Sequence, residues 1–210
     1  MGSPDFLFEG PAGGRLTVVL AHGAGAPMDS PFMNEFAAGL AARGLRVARF
    51  EFPYMAARRA GGPRRGPNPP AVLETAWLDA IDALGGGDRV VAGGKSMGGR
   101  IASMVADRAG MRGLLCLGYP FHPPGRPQQT RTAHLATLAT PTLIVQGERD
   151  ALGTRAEVEG YALSGRITVR WLEDGDHSFK PRVRSGHTQA AHMERALGWS
   201  AEFVASLAGP

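Results

Sequence analysis

Val90-Val91-Ala92-Gly93-Gly94-Lys95-Ser96-Met97-Gly98-Gly99 is the stretch that most limits what this chain can become. An apolar run stops at a serine set between glycines and restarts with helix-forming character. Gly94, Ser96 and Gly98 fill the pattern G-x-S-x-G, and a side chain at either glycine would crowd a sharp strand-to-helix turn. Such a turn pushes the Ser96 hydroxyl out at the strand's C-terminal end. The amide N–H groups that follow open the helix and carry its partial positive charge, so a negative oxygen formed there would meet donors. The stretch therefore reads as a nucleophile elbow. A chain with 30 glycines produces G-x-S-x-G by chance, so the strand before and the helix after carry the reading.

Length and composition bound the rest. At 210 residues and 43% hydrophobic content, the chain is sized for one domain, 1–210, with a full core. It contains no apolar run of about 18 residues, and its start lacks a basic region followed by an apolar one. The expectation is a soluble, cytoplasmic protein without a membrane partner. Cys116 is the single cysteine and lies in Leu114-Leu115-Cys116-Leu117, which predicts a buried structural thiol. The net charge of +4 raises nucleic acid as a partner, yet every basic residue except Lys95 and Lys180 is arginine. The one dense basic cluster, Arg58, Arg59, Arg64 and Arg65, sits among Gly and Pro without interleaved aromatics, which argues against nucleic-acid binding.

The remaining chain alternates strand and helix signals. Phe6–Glu9 and Leu16–Leu20 are strand-like runs split by Gly10-Pro11-Ala12-Gly13-Gly14, which predicts a hairpin. Pro31 follows Ser30 as a helix start, with Phe32, Phe36 and Leu40 at helical spacing. A strand is expected over Leu45–Phe52, a loop over Pro53–Pro70, and an amphipathic helix carrying Val72, Trp77, Ile81 and Leu84. After the elbow helix, Met97 to Ala109, come strands over Gly113–Tyr119, Pro141–Gln146 and Ile167–Leu172. Helices are expected over Arg155–Leu163 and His187–Leu207, and an irregular segment over Pro120–Arg131. This alternation predicts an α/β chain with a mostly parallel, doubly wound sheet and helices on both faces.

In such a sheet, reacting groups belong at the carboxyl ends of strands. The strand ending at Gln146 runs into Gly147-Glu148-Arg149-Asp150, and the strand ending at Leu172 runs into Glu173-Asp174-Gly175-Asp176-His177. One delivers an acid and the other a histidine. Ser96, Asp150 and His177 stand in the order Ser, Asp, His, which is the chain order of the α/β-hydrolase triad. Asp174 and Asp176 compete with Asp150, but residues so near His177 in sequence reach its far ring nitrogen with difficulty. His122, His134, His187 and His192 read as surface or rim residues, and His22 as a group that shapes its own loop. Gly94-Lys95-Ser96 imitates the end of a phosphate loop, but Arg89 stands where the first glycine belongs. Lys95 reads instead as a cation near the elbow whose partner is open.

The exit of the second strand, His22-Gly23-Ala24-Gly25, resembles the oxyanion loop of esterases and lipases. With this fourth feature, nearly the whole chain resembles a small α/β hydrolase of the dienelactone-hydrolase-like kind. Within that kind it is similar to the compact group with HGAG near the start and GGKSMGG at the nucleophile. Dienelactone hydrolases carry cysteine where this chain has Ser96. The resemblance implies the α/β-hydrolase fold without a cap domain, and Ser96 as nucleophile, His177 as general base and acid, and Asp150 as its orienter. It further implies the N–H groups of Ala24 and Met97 as oxyanion donors. The activity implied is hydrolysis of a small carboxylic ester, thioester or lactone through an acyl-enzyme, with no metal or organic cofactor. Arg58, Arg59, Arg64 and Arg65 are candidate substrate-binding residues, in a loop expected at the pocket mouth. Two other readings stand beside this one: a catalytically silent hydrolase-fold interaction protein, and an anion- or nucleic-acid-binding protein using the arginine cluster.

Overall fold

A computed structural model describes residues 4–208. One sheet of seven strands runs through it: β1 (Phe6–Glu9), β2 (Thr17–Ala21), β3 (Arg46–Phe50), β4 (Val90–Lys95), β5 (Gly113–Leu117), β6 (Thr142–Gly147) and β7 (Ile167–Leu172). Their order across the sheet is β1-β3-β2-β4-β5-β6-β7. Only β1 is antiparallel to its neighbour.

The pleat divides the side chains of β2 between two cores. Val19 and Ala21 face one core, with Phe50, Trp77, Ile101 and Tyr119, while Val18 and Leu20 face another, with Phe36, Leu40, Met193 and Leu197. Helices α3 (Pro70–Ala83) and α4 (Met97–Val105) cover the first face; α1 (Pro31–Ala42) and α6 (Gln189–Ala208) cover the second. Burial on both sides is why β2, β5 and β6 carry apolar runs instead of alternation. Each large side chain fully buried this way contributes on the order of 1.5–3 kcal/mol. The two remaining helices are short: α2 (Pro53–Arg59) and α5 (Arg155–Val158).

The expected hairpin between the first two strands does not form. β2 is already flanked by β3 and β4, so β1 pairs with β3 instead, with Phe6 opposite Phe50 and Glu9 opposite Val47. Arg49 secures that pairing through an ion pair with Glu9, and Phe6 packs edge-on against Phe50 at 6.3 Å. The stretch expected as a loop from Pro53 begins as α2, because Pro53 occupies the first helical turn and Phe52 precedes it in extended conformation. The fifth helix ends at Val158, earlier than expected. The connection from β5 to β6 is long and irregular but folds back on itself, with Arg131 N–H donating to Phe121 O at 2.7 Å.

Candidate active site

The elbow is strained. Ser96 has φ 51° and ψ −115°, a backbone state that non-glycine residues rarely adopt and that the surroundings must enforce. They do so through close packing against β2: a Cβ on Gly94 would lie 2.0 Å from Ala21 O, and one on Gly98 2.3 Å from the same oxygen. Trp77 Nε1 on α3 donates to Gly98 O at 3.2 Å and fixes the start of α4 from the other side.

His177 and Asp150 meet. The Asp150 carboxylate, completely buried, accepts His177 Nδ1 at 2.7 Å on Oδ2 and Leu152 N–H at 2.9 Å on Oδ1. Gln146 Nε2 donates to the same Oδ2 at 2.9 Å. The His177 side chain is 30% exposed and lines a cleft of about 530 Å³ with Ser96, Lys95, Ala24, Phe32 and Met33. An imidazole bonded at Nδ1 to a buried carboxylate presents Nε2 to the cleft as a proton acceptor.

The two aspartates nearer His177 in sequence are occupied elsewhere. Asp174 pairs with Arg182 and Arg149, and the Arg182 guanidinium brings its carboxyl down to about 2. Asp176 Oδ1 accepts the N–H groups of Ser178 and Lys180 and shapes the turn around the histidine.

Ala24 lines the cleft, and neither its N–H nor that of Met97 meets an acceptor among the described residues. His22, fully buried, gives its loop a fixed course: Nδ1 donates to Gly23 O at 2.7 Å and Nε2 accepts Phe52 N–H at 3.2 Å. Burial lowers its pKa, in keeping with a neutral ring that both donates and accepts. Tyr54 OH adds a bond to Ala24 O at 2.9 Å.

Arg58, Arg59, Arg64 and Arg65 are not brought to this cleft. Arg59 bonds Glu51 at 2.8 Å through both Nε and Nη2 and Asp29 through Nη1 and Nη2. Arg58 lines a separate depression with Pro27 and Met55, and Arg64 and Arg65 are exposed. The segment Pro120–Arg131 does not line the Ser96 cleft either; its walls come from the loop after β2 and the start of α1.

Several histidines expected at the surface are interior. His122 and His192 are buried, and His192 Nδ1 donates to Phe179 O at 2.9 Å. His134 is half-buried and bonded through Nε2 to Ser103 Oγ at 2.8 Å. Among the described residues no carboxylate orients that second serine–histidine pair, and Ser103 lies inside α4 with its hydroxyl donating to Arg100 O. Gln146, which sequence reasoning passed over, carried one signal: a polar side chain closing an otherwise apolar strand. Among the described residues no three His, Cys, Asp or Glu side chains gather as a metal ion would require. No helix among them is long and apolar enough to cross a membrane.

Residues 14–205 match the family described as alpha/beta hydrolase domain. The chain belongs to that family. Solved structures agree on the fold. A putative hydrolase of the alpha/beta superfamily from Xanthomonas campestris pv. campestris is 25% identical, with a TM-score of 0.63, the match covering 91% of this chain and 99% of that one. A dienelactone hydrolase from Anabaena variabilis is 20% identical, with a TM-score of 0.66 and coverage of 94% and 90%. A serine hydrolase without a lid, from Xanthomonas campestris, is 18% identical, with a TM-score of 0.67 and coverage of 96% and 88%.

Proposed function

We propose that this alpha/beta hydrolase cleaves small carboxylic esters, thioesters or lactones through an acyl-enzyme on Ser96. The observation that carries the reading is the strained Ser96 backbone, φ 51°, at the wall of the cleft that His177 also lines. Strain of this kind persists where the fold is built to present a side chain.

The chemistry follows from the groups in place. His177 Nε2 takes the Ser96 hydroxyl proton as Oγ bonds to the carbonyl carbon, and the carbonyl electrons move onto oxygen. The N–H groups of Ala24 and Met97 receive that oxyanion; loss of one such donor typically costs about 2.7–4 kcal/mol of transition-state stabilisation. As the oxyanion collapses, the bond to the leaving oxygen or sulfur breaks and His177 delivers its proton there. Water then repeats the sequence, losing a proton to His177 and releasing the acid and Ser96. Asp150 holds the imidazole tautomer and stabilises the imidazolium. Pro31, Phe32 and Met33 supply an apolar wall, suited to a compact acyl or leaving group.

The deciding experiment pairs fluorophosphonate labelling with turnover of activated esters, thioesters and lactones of graded acyl length. Ser96 should take the label, and Ser96→Ala and His177→Ala should each lower kcat by at least about 10³-fold, with the double variant little worse. A folded protein that neither labels nor turns over any of these compounds overturns the reading.

A further inference from the structure

Lys95 takes part in none of the steps above, yet its ammonium is held inside the site. It stands between Gly94 and Ser96 on the last residue of β4 and lines the same cleft as Ser96 and His177. Nζ donates to the backbone carbonyl of His177 at 2.6 Å and lies 5.5 Å from the Phe32 ring centroid and 5.9 Å from that of Phe179. Among the described residues no carboxylate lies within ion-pair distance of it. Burial pulls its pKa down to about 8, with Asp150 and Asp176 pulling weakly the other way. A methionine would fill this space without the cost of burying a charge, so the ammonium is retained against a penalty.

The surroundings are cut to fit that contact. A Cβ on Gly118, at the end of β5, would come within 2.8 Å of Lys95 Nζ, 3.1 Å of His177 O and 3.3 Å of His177 Cε1. Lysine, histidine and glycine therefore share one tight junction. Sheet order explains why a junction is needed there. β7 lies three places from β4, roughly 14 Å at the level of the strands, so the loop after β7 must return across the carboxyl edge to bring His177 to Ser96. The bond to Asp150 fixes one ring nitrogen; the Asp176 turn shapes the backbone on either side, and the Lys95 bond holds the His177 carbonyl itself.

We propose that Lys95 is a positioning residue for the proposed triad: by holding the His177 carbonyl from the residue next to the nucleophile, it sets where the imidazole stands between Asp150 and Ser96. This rests on the acyl-enzyme reading above. An error of about 1 Å in such placement can cost on the order of 10²-fold in rate, and it falls on kcat, because no substrate contact is lost.

The test compares Lys95→Met and Lys95→Ala with the intact protein on a neutral and an anionic ester that the intact protein turns over in a Ser96-dependent way. That last condition separates failure of this proposal from failure of the acyl-enzyme reading. Lys95→Met should lower kcat by about 10- to 100-fold for both esters and leave KM within about twofold. Propylamine added to Lys95→Ala should restore kcat in a saturable manner, and added to Lys95→Met should do nothing. The restoration arm also decides if Lys95→Met does not fold. Unchanged kcat in either variant overturns the proposal. So does a rise in KM confined to the anionic ester, which would make Lys95 a substrate-recognition group, or a failure of propylamine to restore a folded Lys95→Ala.

Discussion

Gln146 Nε2 and His177 Nδ1 converge on one oxygen, Asp150 Oδ2, at 2.9 and 2.7 Å. The amide is itself locked, its oxygen accepting Tyr119 N–H at 2.7 Å and its nitrogen also reaching the carbonyls of Tyr119 and Gly153. Gln146 thus ties the carboxylate that orients the histidine to the ends of β5 and β6.

Gln146→Met keeps the volume and removes every one of those bonds. Leaving buried polar partners unpaired costs about 1–3 kcal/mol each where water cannot reach them, so urea unfolding should show a loss of at least that size. With one of the three bonds that hold the Asp150 carboxylate gone, kcat should fall by about tenfold with KM unchanged. A variant equal to the parent in both measurements would remove Gln146 from any account of the site.

The elbow glycines should tolerate no methyl group. Gly94→Ala and Gly98→Ala each drive a Cβ into Ala21 O, and Gly94 also sits at φ +142°. Backbone has nowhere to yield there, so each should destabilise by more than about 3 kcal/mol, beyond ordinary overpacking. Gly198→Ala provides the control. That position lies within α6 with open space around its missing Cβ, and the change should stabilise by about 0.5–1 kcal/mol.

Lys95 should make stability depend on pH in a defined direction. Its folded pKa, about 8, lies below the unfolded value of 10.5, so the unfolded chain holds the proton more tightly. Below about 8 both states are charged and the burial penalty is fully present. Between about 8 and 10.5 the folded state sheds its proton first, and stability rises with pH. The gain is on the order of 3 kcal/mol at its limit. The difference in unfolding free energy between the parent and Lys95→Met, followed from pH 7 to 10.5, should shift in the parent's favour; a difference that stays flat would refute the assignment.

The arginine cluster should split by position. Arg59→Ala strips the partner from Glu51, whose side chain is only 3% exposed, and should destabilise by about 1–3 kcal/mol. Arg64→Ala/Arg65→Ala should stay within about 0.5 kcal/mol, as expected of exposed positions. Neither change should alter the ratio of kcat/KM for neutral and anionic esters, since neither touches the cleft. A ratio that moves in Arg64→Ala/Arg65→Ala would place the cluster back at the substrate.

What sequence could reveal here was whatever is written locally. The elbow announces itself through glycine spacing, and the places of Asp150 and His177 follow from strand ends, because a strand's apolar run and its exit are contiguous in the chain. Pairing partners are not contiguous. β1 looked like the hairpin mate of β2 because a Gly-Pro turn joins them; only the insertion of β3, a long-range event, denies β2 a free edge. For the same reason sequence places His192 and His122 at the surface or rim, although each hydrogen-bonds within the interior, and Arg59 among the substrate-binding candidates, although Glu51, brought beside it by the turn into α2, claims it. The Lys95 contact spans 82 positions in sequence, and no periodicity encodes it.

Phe179 takes φ 66° and is completely buried, edge-on to Phe32 at 5.4 Å, with its carbonyl held by His192 of α6. The segment carrying His177 is therefore stitched into the apolar layer beneath α1 and α6, although it follows the last strand and ends in irregular coil. The amide proton of Phe179, bonded to Asp176 O at 2.9 Å, would then exchange with solvent only when that layer opens, at the pace of the C-terminal helix instead of the pace of a surface loop. On the acyl-enzyme reading proposed above, loosening α6 would displace His177 before the sheet itself came apart, so inactivation by heat or denaturant should run ahead of the loss of secondary structure.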